Sequence, residues 1–200
     1  MKLRLKHCEV ELHFLFAAAV TLMLILDADG IVSLGVASCL AHECGHLICL
    51  LLFGEQPRRI VLGAFGMRIE RTGAVRLSLT QECIAALSGP AVNLLLAAIC
   101  ILFRQPDIPA FQKAALVNLG IALFNLLPIE QLDGGHALYY LLSASRRIGE
   151  ERARRICGRI SLIVLIPLIC LGVALIVRSG YNFTLLLVGI YLFLLFWVKE

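Results

Sequence analysis

Six apolar stretches set the rhythm of this chain, near 10 to 26, 31 to 53, 82 to 103, 111 to 128, 156 to 177 and 181 to 198. Each is close to the roughly 20 residues that cross a bilayer as a helix. One such stretch could be the core helix of a soluble domain. Six in 200 residues would leave almost no polar surface for water. The pattern therefore predicts an all-α integral membrane protein, a six-span bundle forming one domain over 1–200 with no separate soluble regulatory domain. Only 58 to 79, RRIVLGAFGMRIERTGAVRLSL, has a rhythm of its own. Placing Arg71, Thr72 and Gly73 in a three-residue loop pairs Glu70 with Ala74, Ile69 with Val75 and Met67 with Leu77, which gathers apolar residues on one face of a small β-hairpin.

Composition agrees with the spans, since 60% of residues are hydrophobic, 16% are charged and the mean hydropathy is +0.91. Charge then orients them. The N-terminus, the 54 to 81 loop, the 129 to 159 segment and the C-terminus hold fifteen of the eighteen Lys and Arg residues, and Arg104, Lys113 and Arg178 fall on the other side. By the positive-inside rule both termini and the hairpin face the cytoplasm of a multi-pass cell-membrane protein. The basic run SRRIGEERARRICGR (145 to 159) is explained by topology, with anionic lipid or a protein partner as its further use. No basic recognition module is visible, so nucleic acid is not expected as a partner. Eight cysteines without a CxxC pair read as free thiols packed like small core residues. The first apolar run has no small-residue cleavage site after it and is expected to stay in place.

The chemistry lies in the second span. AHECGH (41 to 46) sets His42 and His46 four residues apart, on one face of a helix, so both imidazoles can bind one Zn²⁺ while Glu43 stands beside them as a general base. Zinc lowers the pKa of water it binds from about 15.7 to about 7 and polarises a carbonyl, which is what amide hydrolysis needs. An isolated HExxH is a weak signal. Within a 23-residue apolar stretch each ionisable side chain costs roughly 2.5 to 3.5 kcal/mol to insert, which argues for function. A catalytic zinc takes three protein ligands and keeps one position open. Asp133 is the best third ligand, in NLLPIEQLDGGH (125 to 136), where Pro128 breaks the fourth helix and Gly134 and Gly135 let the backbone bend. His136 is the rival and Glu130 a weaker one. Asn93, in LSGPAVN (87 to 93), and Asn125 are polar residues in apolar surroundings. Each could simply bond a neighbouring helix, or could donate to an oxyanion or hold the substrate backbone.

AHECGH, LSGPAVN and NLLPIEQLDGGH in this order resemble the site-2 protease family of intramembrane zinc metallopeptidases, and LGAFGMRIE resembles the bacterial branch containing the stage IV sporulation protease FB. The resemblance covers essentially the whole chain. It implies that His42, His46 and Asp133 ligate one zinc per chain, that Glu43 is the catalytic base, and that Asn125 and Asn93 match polar positions near the cleft. It also implies membrane-embedded or membrane-associated protein substrates, regulated intramembrane proteolysis, a regulatory membrane protein as a possible partner, and pro-sigma factor processing in sporulation. The nucleotide-binding regulatory domain of that branch and the PDZ domain of another are not recognised. The competing reading is a zinc-binding membrane protein without proteolysis, a transporter or inactive scaffold, which would have no need of Glu43.

Overall fold

The computed structural model describes every residue except 1, 6–7, 64–65, 74, 104–108, 146–147, 182 and 199–200. Its elements in chain order are β1 (Lys2–Leu5), β2 (Cys8–Leu12), α1 (Phe14–Ile25), α2 (Ile31–Leu52), β3 (Pro57–Gly63), β4 (Gly66–Arg71), α3 (Leu79–Leu102), α4 (Pro109–Asn125), α5 (Asp133–Ser143), α6 (Glu150–Ser179) and α7 (Thr184–Val198). Three helices are long and apolar enough to cross a membrane: α2, α3 and α6. At 1.5 Å per residue the 22 residues of α2 reach about 33 Å, past the ~30 Å hydrocarbon core. Three other expected spans coincide with shorter helices, α1 with 12 residues, α4 with 17 and α7 with 15, or about 18, 26 and 22 Å. The described helices thus support three of the six expected spans by length. The apolar surface fits a lipid-facing exterior, since Leu52, Leu102 and Val177 are each about 80% exposed.

The first expected span is shortened by a strand. CEVEL (8 to 12) alternates with period two, and β2 pairs in parallel with β3. Glu9 and Glu11 would be costly in a lipid-embedded helix, whereas in the sheet Glu11 accepts from Arg59 of β3, which also lies 4.0 Å from Glu70 of β4. The expected hairpin becomes half of a four-stranded sheet in the order β1-β2-β3-β4. Its turn is also displaced. β3 and β4 pair Ile60 with Ile69 and Leu62 with Met67, so Glu70 and Ile69 pair backward with β3 rather than forward with residues 74 and 75. Ala74 lies outside the described residues.

The physical reason is Glu55, 1% exposed at the end of α2. Its carboxylate accepts from Thr72 Oγ1 and Gly73 N, both at 2.9 Å, and from Val75 N at 3.0 Å. The amides of Gly73 and Val75 cannot serve a ladder while they serve Glu55, and Gly73 takes φ +69°, which a strand does not allow. Burial opposes ionisation of Glu55, and the bonds from Val75, Thr72 and Gly73, with the charge of Arg71, outweigh it and hold the carboxyl below its ordinary value.

The chain divides into two compact units. The first, residues 1–81 and 88–124, contains the sheet, α1, α2, most of α3 and nearly all of α4. Asp27 caps α2 by accepting from Val32 N at 3.1 Å and Ser33 N at 2.8 Å. A capping box between Ser78 and Gln81 starts α3. The second unit, 82–87 and 125–200, is built on α6 packed against α5 and α7. Glycines let α6 and α7 approach, because a Cβ at Gly172 would meet the Leu186 backbone at 2.8 Å.

Candidate metal centre

Helical spacing puts His42 and His46 on one face of α2, and their rings meet edge to face with centroids 4.8 Å apart. The two Nε2 atoms point at a common space, 3.1 Å from each other. What holds them is α3. Gly89 faces the pair so closely that a Cβ there would fall 2.2 Å from His46 Nε2 and 2.7 Å from His42 Nε2. On α2, a Cβ at Gly45 would meet Ser88 O and Val92 Cγ2 at 2.8 Å, so the two helices approach through paired glycines. Ser88 Oγ lies 3.4 Å from His46 Nδ1.

A chain of amides fixes the tautomer of His42, which is 5% exposed. Asn118 Nδ2 donates to Ala114 O at 2.9 Å, which turns Asn118 Oδ1 toward Asn93. Asn93 Nδ2 donates to that oxygen at 2.8 Å and to Ser38 O at 3.1 Å, which leaves Asn93 Oδ1 facing His42 Nδ1 at 2.7 Å. An amide oxygen only accepts, so Nδ1 carries the proton and Nε2 presents its lone pair. Asn93 is fully buried. Both of its amide hydrogens are engaged, so none is left for a substrate oxyanion, and its geometry is that of a residue orienting a metal ligand. Asn118 escaped the sequence reading, although an Asn within an apolar helix is the same signal that drew attention to Asn93.

Asp133 is the first residue of α5, after a turn over 126–132. Gly134 and Gly135 serve this turn differently from the expected bending, since neither has a positive φ. Their role is close approach: a Cβ would lie 2.2 Å from Leu126 O at Gly134 and 2.0 Å from Ile129 O at Gly135. Ser161 of α6 pins the same turn, accepting from Glu130 N at 2.9 Å while donating to Cys157 O at 2.8 Å. Nothing in the local sequence pointed to Ser161. Asn125 is the half-buried last residue of α4, and Glu43 is half-buried on α2.

His42 and His46 belong to the first unit and Asp133 to the second, where His136 and Glu130 line a cavity. The donor set fits zinc. Two imidazole nitrogens and one carboxylate oxygen are a hydrolytic zinc's ligands, donors on one tetrahedral ion stand about 3.3 Å apart, and glycine at 89 keeps the space beside them open.

Comparison with known proteins points the same way. Residues 107–168 match the model of peptidase family M50. A Mycobacterium tuberculosis protein named Rip3, whose name places it among the zinc metalloproteases, is 34% identical over 166 residues, 78% of this chain and 41% of its own length. Stage IV sporulation protein FB of Bacillus subtilis is 28% identical over 138 residues, 66% of this chain and 46% of its own. The chain thus spans less than half the length of these relatives. The solved structure of a site-2 protease from Methanocaldococcus jannaschii shares the fold, with a TM-score of 0.66 at 21% identity, covering 97% of this chain and 92% of that one.

Proposed function

We propose that this chain, which belongs to peptidase family M50, the site-2 protease family, is an intramembrane zinc metalloendopeptidase that cuts membrane-embedded or membrane-associated proteins. The observation that supports this most directly is the His42–His46 pair, whose Nε2 atoms lie 3.1 Å apart against Gly89. In this reading His42, His46 and Asp133 hold one zinc per chain. When bound, zinc supplies Lewis acidity that polarises the scissile carbonyl and acidifies water. Glu43 takes the proton of the attacking water and returns it to the leaving amine. Asn93 keeps His42 in the tautomer that exposes Nε2. Asn125, eight residues before Asp133, holds the substrate backbone or its developing oxyanion.

A helix hides its own carbonyls, so the substrate has to be extended where it is cut. β4 stands at one end of the sheet order and offers an edge to which an extended segment can add by main-chain hydrogen bonds. Six spans with cytoplasmic termini complete the reading, supported by the basic asymmetry along the chain. The likeness to stage IV sporulation protein FB makes a pro-sigma factor a substrate to test first, with control by a second membrane protein as part of the same proposal.

The test is co-expression of the wild type and Glu43→Gln with a panel of membrane substrates that includes a pro-sigma factor, together with zinc analysis of the purified proteins. A protease yields a product with the wild type alone, while Glu43→Gln retains zinc. His42→Ala, His46→Ala and Asp133→Ala each lose the metal. If Asp133→Ala kept stoichiometric zinc and His136→Ala lost it, the third ligand would be reassigned. A panel left uncut by a zinc-loaded wild type would favour a transporter or scaffold.

A further inference from the structure

The second unit holds a cavity of about 650 Å³ among α5, α6 and α7, which the proposed chemistry does not use. Its walls change character along α6. Arg154, Arg155 and Arg159 line one part, and all three are exposed, whereas Leu162 and Phe196 line the other. Tyr139 of α5 adds a phenol, and Glu130 is the single carboxylate among the lining residues, so the cavity has an excess of positive charge.

The position of this change along the sequence matters as much as its chemistry. No charged residue occurs between Arg159 and Arg178, an uncharged run of eighteen residues, 160–177, that is nearly the length needed to cross the hydrocarbon core. Arg159 therefore marks the boundary between headgroups and acyl chains. From Arg154 to Leu162 the helix rises about 12 Å, so the arginines stand at headgroup depth while Leu162 and Phe196 stand at the start of the acyl region. Topology alone accounts for basic residues near a span end. It does not account for a cavity whose lining brings three arginines and two tyrosines together with Leu162 and Phe196.

We infer that this cavity is a binding site for one anionic phospholipid, its phosphate held by Arg154, Arg155 and Arg159 and the beginning of its acyl chains lying against Leu162 and Phe196. Arginine suits the task, because its planar donors pair with phosphate oxygens and it is always charged. The inference needs the chain to be membrane-embedded and does not depend on its being a protease.

The experiment is native mass spectrometry of the full chain released from nanodiscs of phosphatidylcholine with one-fifth phosphatidylglycerol. The wild type should retain phosphatidylglycerol well above its share of the bilayer. Each arginine near the surface contributes about fivefold to anionic lipid binding, so Arg154→Gln/Arg159→Gln should lower the preference for phosphatidylglycerol over phosphatidylcholine on the order of 25-fold. Arg178→Gln, the loss of one positive charge at the far end of α6, should leave it intact. Tyr139→Phe removes one hydroxyl and provides a variant with little risk to folding; its enrichment should fall severalfold. Equal enrichment in the wild type and the double variant would overturn the site. So would thermal protection of the wild type in phosphatidylcholine by inorganic phosphate or soluble glycerol phosphate, which would show a free-phosphate site, or displacement of the lipid by a co-purifying protein segment.

Discussion

Replacing Gly89 by alanine should remove the metal and leave the fold. The added Cβ would stand 2.2 Å from His46 Nε2 and 2.7 Å from His42 Nε2, where ordinary contact begins near 3.4 Å. The imidazoles must then move by about 1.2 and 0.7 Å, several times the roughly 0.2 Å that zinc–ligand distances tolerate. Both atoms are at the far ends of side chains, so they can swing aside without moving backbone. Displacing two ligands should lower zinc affinity by at least about 100-fold, the upper end of what altered supporting residues cause. The assay is zinc per chain after challenge with graded chelator, read beside thermal unfolding and substrate cleavage. Gly35→Ala, on the same helix α2 as the histidines and with nothing within 4 Å of its Cβ, is the control. A Gly89→Ala protein that resists chelator like the wild type and cuts at the wild-type rate would refute the placement of the histidines against α3.

Asn93→Ala should lower zinc affinity by about 10- to 100-fold, since His42 Nδ1 loses the oxygen that sets its tautomer, and chelator competition should show the loss even before cleavage is measured. Glu55 has its carboxyl held below the ordinary value, so its contribution is present above the unfolded pKa near 4.3 and fades as pH falls through the lower folded value. Hydrogen exchange at Gly73 and Val75 should therefore accelerate only in that acid range, and in Glu55→Gln already at neutral pH; protection unchanged by Glu55→Gln would contradict the assignment. A proline at Arg68 or at Ile69, which between them sample both faces of β4, should impair cleavage while zinc content stays whole. Wild-type cutting by both variants would leave strand addition without support.

The sequence by itself determined what each residue type can do wherever the reasoning was local. A period of 3.6 puts His42 and His46 on one face, and apolar length marks α2, α3 and α6 as long and apolar enough to cross a membrane. Both follow from geometry within a single helix. Matters decided by partners distant in the chain were left to the tertiary structure. The hairpin turn moved because Glu55 takes the donors of Thr72, Gly73 and Val75, and no alternation along 58–79 contains that competition. The first span shortened because Glu11 found a strand and, 48 residues on, Arg59 to pair with. Asn93 was visible as a polar residue in an apolar helix. That it orients a histidine was settled only by the amides and carbonyls of Asn118, Ala114 and Ser38, because a hydrogen bond's direction is fixed by the whole chain of donors behind it.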